Sequence, residues 1–172
     1  MGPWYALWHV SIYGCLICFH LTGIPITWML SSNGMEATIK YFLNFIKTWN
    51  LEILPRIIMT DRDQAQMNAI MAVYLKTTVL LCWWHMLCTI QMHFCMEEFP
   101  ELWECICAWV KTSDQIKCDS WWEEMQSNAS VPQSLVDYLK ANCMGIVPLW
   151  SGTYRKDWPI FQEGDTNMLI EL

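Results

Sequence analysis

Residues 2–34 contain no Lys, Arg, Asp or Glu. A stretch that long without a charge has two physical outlets. It can cross a bilayer, which takes about 20 apolar residues, or it can supply strands to a buried sheet. The residues favour strands. His9, Ser11, Gly14, His20, Gly23 and Pro25 interrupt the run, β-branched and aromatic side chains fill it, and no flanking positive charge sets a membrane orientation. Residues 5–13, 16–21 and 24–30 read as two or three strands, with Gly23 as a turn and Pro25 at a strand start or edge. A membrane anchor over residues 2–34 is the competing expectation.

The next segment changes period. Met35, Ile39, Phe42, Ile46 and Trp49 recur in steps of four and three, so residues 34–49 are predicted to form a helix with one apolar stripe. Asn33 and Glu36 have the spacing of a capping box at its start. Residues 53–60 read as a strand ending at Asp61. Asp63 then caps a second helix, with Gln66 three residues on and Met67, Ile70, Met71 and Tyr74 on its buried face. Residues 77–82 are β-branched and apolar, a further buried strand, and residues 85–99 are helical again. Alternating strand and helix predicts an α/β protein with part of its sheet parallel. Ligands of such sheets gather at the carboxyl ends of strands, where Asp61, Cys82 and His85 fall.

Beyond Pro100 the pattern weakens. Trp103, Trp109, Trp121 and Trp122 suggest packed helices. Ser130 and Pro132 begin another, carrying Leu135, Val136, Leu139 and Cys143, and the chain past Gly145 reads as loop-rich.

Composition narrows the function classes. Apolar residues make up 54% of the 172 and charged residues 16%, so the chain has a core to bury. A net charge of −7 argues against a free-standing basic nucleic-acid-binding module. The nine cysteines are odd in number and irregular in spacing, and no positive n-region precedes the apolar start, which together read as reduced thiols in an intracellular protein. Cys15 and Cys18 have a redox or zinc spacing, but no second pair lies near them in sequence, so they read as packing residues, as do Cys105 and Cys107. His9, His20 and His93 read as structural. The tryptophans, seldom interleaved with Lys or Arg, read as core rather than as base-stacking platforms.

Four segments carry a family resemblance. Pro55-Arg56-Ile57-Ile58-Met59-Thr60-Asp61-Arg62-Asp63, continued by Ala65-Gln66-Met67-Asn68-Ala69-Ile70, resembles the second catalytic motif of Mutator-like element (MULE) transposases. Leu80-Leu81-Cys82-Trp83-Trp84-His85 resembles the Cys-x-x-His signature of that family. Gly23-Ile24-Pro25-Ile26-Thr27-Trp28 is similar to its Gly-x-Pro strand, and Thr166-Asn167-Met168-Leu169-Ile170-Glu171 to the segment bearing its third catalytic acid.

The resemblance implies a ribonuclease H-like mixed sheet flanked by helices, with a helical C-terminal insertion. Residues 1–99 would hold a partial core, 100–160 the insertion, and 161–172 the start of the helix that carries the third acid. It implies a DDE site in which Asp61 and Glu171 are catalytic metal ligands and Cys82 and His85 shape the surroundings. Mg²⁺ or Mn²⁺ suits such carboxylates, because two ions about 4 Å apart activate the attacking oxygen and stabilise the leaving one during phosphodiester cleavage. Transposon-end DNA is the implied partner, with self-association conceivable and no small-molecule substrate, and the nucleus is the implied location.

The pattern also departs from the family. No Asp precedes Asp61, and the earlier acids Glu36 and Glu52 fall in or after the first helix, where the first catalytic acid does not belong. The expectation is a copy cut short at both ends that does not assemble the metal pair. The competing functional expectations are a non-enzymatic interaction scaffold of transposon origin and a small membrane-anchored protein.

Overall fold

The computed structural model describes residues 11–19, 22–49 and 54–155. These form an α/β arrangement weighted towards helix, with two two-stranded sheets. They fall into two compact units, one ending at Val79 and the other running from Leu80 to Arg155.

In the first unit, β1 (Ser11–Phe19) and β2 (Thr22–Ser31) pair antiparallel. Residues 11–19 and 22–31 of the uncharged stretch are therefore strand, and among the described residues no helix is long and apolar enough to cross a membrane. Two expectations change here. Gly23 is not a turn residue, because it pairs with Cys18 inside the ladder. Pro25 lies within β2 and not at its start, although β2 is an edge strand of its two-stranded sheet, the alternative that the sequence allowed. The register shifts beside it, from Cys15 opposite Thr27 to Leu16 opposite Pro25, leaving Ile26 as the extra residue. A bulge disrupts the ladder locally, which is where a residue lacking an N–H donor is tolerated inside a strand.

Helix α1 (Glu36–Trp49) follows. Its expected capping box does not form. Asn33 Oδ1 accepts from the Met35 N–H at 3.2 Å and from the Thr38 hydroxyl at 2.8 Å, while Glu36 turns to Lys40 and Asn68. The stripe is right in its middle and wrong at its ends. Ile39, Phe42 and Ile46 are buried, whereas Met35 is 60% and Trp49 74% exposed. Periodicity identifies the face of a helix, not how far its cover extends.

Strand β3 (Ile57–Thr60) is shorter than predicted, since Pro55 offers no donor to a ladder. Helix α2 (Gln64–Val73) packs against α1 and buries Met67, Ala69, Ile70 and Val73. Tyr74 is buried as expected, but Met71 is half exposed. Two polar links join α1 to the α2 segment. Asn68 Nδ2 donates to Glu36 at 3.0 Å, and Lys47 Nζ donates to the Val73 carbonyl at 2.8 Å while lying 5.6 Å from the Tyr74 ring centroid. Strand β4 (Thr78–Leu81) pairs with β3. The sequence β3–α2–β4 is the strand–helix–strand unit.

In the second unit, α3 (Trp83–His93) begins two residues earlier than predicted and ends well before Phe99. A 3-10 turn at Met96–Glu98 intervenes, and α4 (Pro100–Lys111) opens on its proline. Proline is disfavoured within a helix but suits its first position, so Pro100 opens α4, while α3 has already stopped at His93. Then come α5 (Gln115–Ser127), capped by Asp114, and α6 (Gln133–Asn142). Leu135, Val136, Leu139 and Cys143 are all buried, as their spacing predicts, each aliphatic side chain contributing about 1.5–3 kcal/mol of transfer free energy.

The segment past Gly145, expected as loop, is instead a run of tight helical turns through α7 (Val147–Trp150) and a 3-10 turn at Gly152–Tyr154. It closes the core. Trp109 and Trp150 are fully buried, with ring centroids 4.7 Å apart, and Trp122 stacks on Trp109 at 5.6 Å. Each buried indole N–H has an acceptor: Trp109 the Cys118 carbonyl at 3.1 Å, Trp150 the Cys143 carbonyl at 2.9 Å, and Trp83 the Trp150 carbonyl. Trp83, Trp109 and Trp150 are thus core residues with satisfied polar edges, the condition for burying an indole without penalty, whereas Trp84 is 39% exposed and Trp103, Trp121 and Trp122 are half-buried.

Candidate functional site

Asp61 directly follows the last residue of β3 and is half-buried. The turn that carries it is held from both sides. Asp63 Oδ1 accepts from the Gln66 N–H at 2.8 Å, capping α2 as the sequence predicts. The buried Thr60 hydroxyl donates to Gln66 Oε1 at 2.6 Å, a link that sequence reasoning did not foresee. Gln66 therefore fastens the strand end to the first turn of α2 through its backbone and its side chain together. Asp63 is committed to the cap. Asp61 is the carboxylate in this turn whose type and place suit a hard cation.

Cys82 directly follows β4 and occupies the position before the first turn of α3. Its thiol is 1% exposed, and its carbonyl accepts from the Met86 N–H at 3.1 Å. His85 is half-buried, its ring edge-on to Trp84 at 4.8 Å. Residues three apart at a helix start lie on neighbouring positions, so Cys82 and His85 belong to one turn. Two such ligands are half of a structural zinc site, and among the described residues no three His, Cys, Asp or Glu side chains form a group that could hold a metal ion. Glu171 and the segment 161–172 lie outside the described residues.

The seven cysteines whose side chains are described are all thiols. Burial pushes the thiols of Cys105, Cys107 and Cys118 above their ordinary range, disfavouring the thiolate that reacts. Cys118 also lies 3.9 Å from the Ser151 hydroxyl, inside the core. His93, 4.9 Å from the Tyr138 ring, packs among aromatics.

The residue that sequence reasoning missed most plainly is Arg155. It is 1% exposed, its guanidinium lies 4.3 Å from the Trp83 ring centroid, and Nη2 donates to the carbonyls of Leu81 and Leu149. It thus engages the last residue of β4, immediately before Cys82. The available signal was Pro148, which marks the start of α7 and shows that the chain is still folding into helix at that point.

No family model matches the chain, and no curated protein matches it either. Fold and site together define an α/β protein with a carboxylate set directly after one strand and a Cys-x-x-His turn directly after the next.

Proposed function

We propose that this chain descends from the ribonuclease H-like catalytic core of a Mutator-like transposase, whose chemistry is metal-dependent DNA cleavage and strand transfer. One observation carries most of the weight. Along the chain come strand β3, Thr60-Asp61, a helix capped by Asp63, strand β4, and Cys82 and His85 opening α3. That is the order in which the resembling motifs require strand, acid, capped helix, strand and Cys-x-x-His. Asp61 and Glu171 are the inherited metal ligands on this reading, with Mg²⁺ or Mn²⁺ as the ion, transposon-end DNA as the partner and the nucleus as the place of action.

The 172 residues by themselves do not perform the reaction. No Asp precedes Asp61 to complete the carboxylate set, and two ions require ligands from both sides. The purified chain is expected to leave supercoiled plasmid intact with either metal. Nicking that disappears in Asp61→Ala would overturn the inactivity. Descent itself is tested by translating the coding DNA on either side. A strand bearing an Asp upstream and a helix continuing from Glu171 downstream support it, and flanks encoding neither sink it.

A second reading, an interaction scaffold without catalysis, is favoured by the net charge of −7, which opposes binding to a polyanion. Retention of the chain on DNA at moderate salt would count against it.

A further inference from the structure

We propose that the cleft between the start of α4 and the end of α5 docks a basic polypeptide segment, taking an apolar side chain between its walls and Lys or Arg at its rim. The cleft has a volume of about 480 Å³, within the range of about 300–1,000 Å³ typical of ligand sites. Phe99 and Leu102 line one wall, Met125 and Val131 the other. Around them stand Glu98, Glu101 and Glu124, all exposed, and no Lys, Arg or His is among the lining residues.

The carboxylates select the occupant. Apolar walls alone accept any hydrophobe, but three acids around them repel anions and favour a ligand that carries cations beside its apolar group. Nucleic acid fails on charge. A second copy of this chain carries a net charge of −7 as a whole and is opposed by the same carboxylates. A polypeptide with Lys or Arg flanking Leu or Phe meets both requirements. The Cys105 thiol, which lines the cleft, is pushed up first by burial and then by the Glu124 carboxylate, so the negative potential reaches into the cleft. The inference stands apart from the transposase reading, since none of these residues belongs to the motifs that carry it.

The test uses the full chain and a fluorescein-labelled twelve-residue peptide of alternating Leu and Lys, with fluorescence anisotropy as readout. Two double variants have the same net charge: Glu101→Lys with Glu124→Lys at the rim, and Asp119→Lys with Asp137→Lys at exposed positions outside the cleft. Circular dichroism checks that both keep their helix content. The expected result is saturable binding that the rim variant weakens by about tenfold or more while the control variant does not. Absence of binding, or equal weakening in both variants, overturns the proposal. So does concentration-dependent self-association lost in the rim variant, which would make a second copy the occupant.

Discussion

Trp83 donates its indole N–H to the carbonyl of Trp150, 67 residues further along the chain. Trp83 opens the helix that follows β4, and Trp150 ends the last α-helix among the described residues. One buried hydrogen bond thus joins residues near the two ends of the described part of the second unit, with the Trp109 ring tilted against Trp150 and Arg155 lying over Trp83.

Truncating this cluster opens a large cavity in the core. Trp150→Ala removes a fully buried side chain and the donor to the Cys143 carbonyl. It is expected to cost about 3–5 kcal/mol, read as a lower urea midpoint by circular dichroism. An unchanged midpoint would show that Trp150 is not in the core.

Gly152 is the position where the backbone leaves no room for a side chain. A Cβ there would collide with the carbonyl of Lys111 and lie 2.6 Å from that of Thr112, whereas at Gly145 it would meet nothing within 4 Å. Gly152→Ala should therefore destabilise by about 1–3 kcal/mol, and Gly145→Ala should be much milder. Comparing the two melting temperatures separates close approach from any general effect of losing glycine.

The cap of α2 makes a third prediction. Asp63→Ala leaves the Gln66 N–H without its side-chain acceptor and is expected to cost about 0.5–2 kcal/mol. Asp63→Ser, which retains an acceptor oxygen, should recover most of that. Equal losses in both variants would place the effect elsewhere.

The link between α1 and α2 is sensitive to acid. Hydrogen bonds from Lys40, and then from Asn68, hold the Glu36 carboxyl below its ordinary value. A depressed carboxylate stabilises the fold fully above its unfolded value of about 4.3, and that contribution is lost as pH falls through the lower folded value. The stability advantage of the wild type over Glu36→Gln should therefore be present at neutral pH and vanish in acid. A difference independent of pH, measured by urea titration across that range, would rule out the ionised form as its source.

Much of the fold was legible where the signal is local. The middle of α1, the Asp63 cap, the strand ends before Asp61 and Cys82, and the buried face of α6 follow from spacing and cap chemistry alone. The misreadings share a cause. Gly23 read as a turn residue, yet pairing with β1 holds it inside β2, and Pro25 lies at a bulge of that edge strand and not at its start. Residues 85–99 read as one helix, yet α3 stops at His93 and a 3-10 turn follows, a break that apolar spacing does not register. Met71 and Trp49 read as core because their spacing is apolar, and nothing in a spacing says where the covering element stops.

The candidate site divides in the same way. The sequence alone determined that an Asp follows one strand and a Cys-x-x-His turn follows the next, because strand and helix starts are written in residues a few positions apart. Only the tertiary structure decided that Thr60 and Gln66 lock the Asp61 turn, that Cys82 is sealed from water, and that Arg155 lies over the Trp83 ring. Those relationships join chain segments whose hydrogen-bonding and packing partners are chosen by burial. A side chain such as Arg155, polar in any local reading, becomes a core residue only when distant carbonyls and an indole face come together around it.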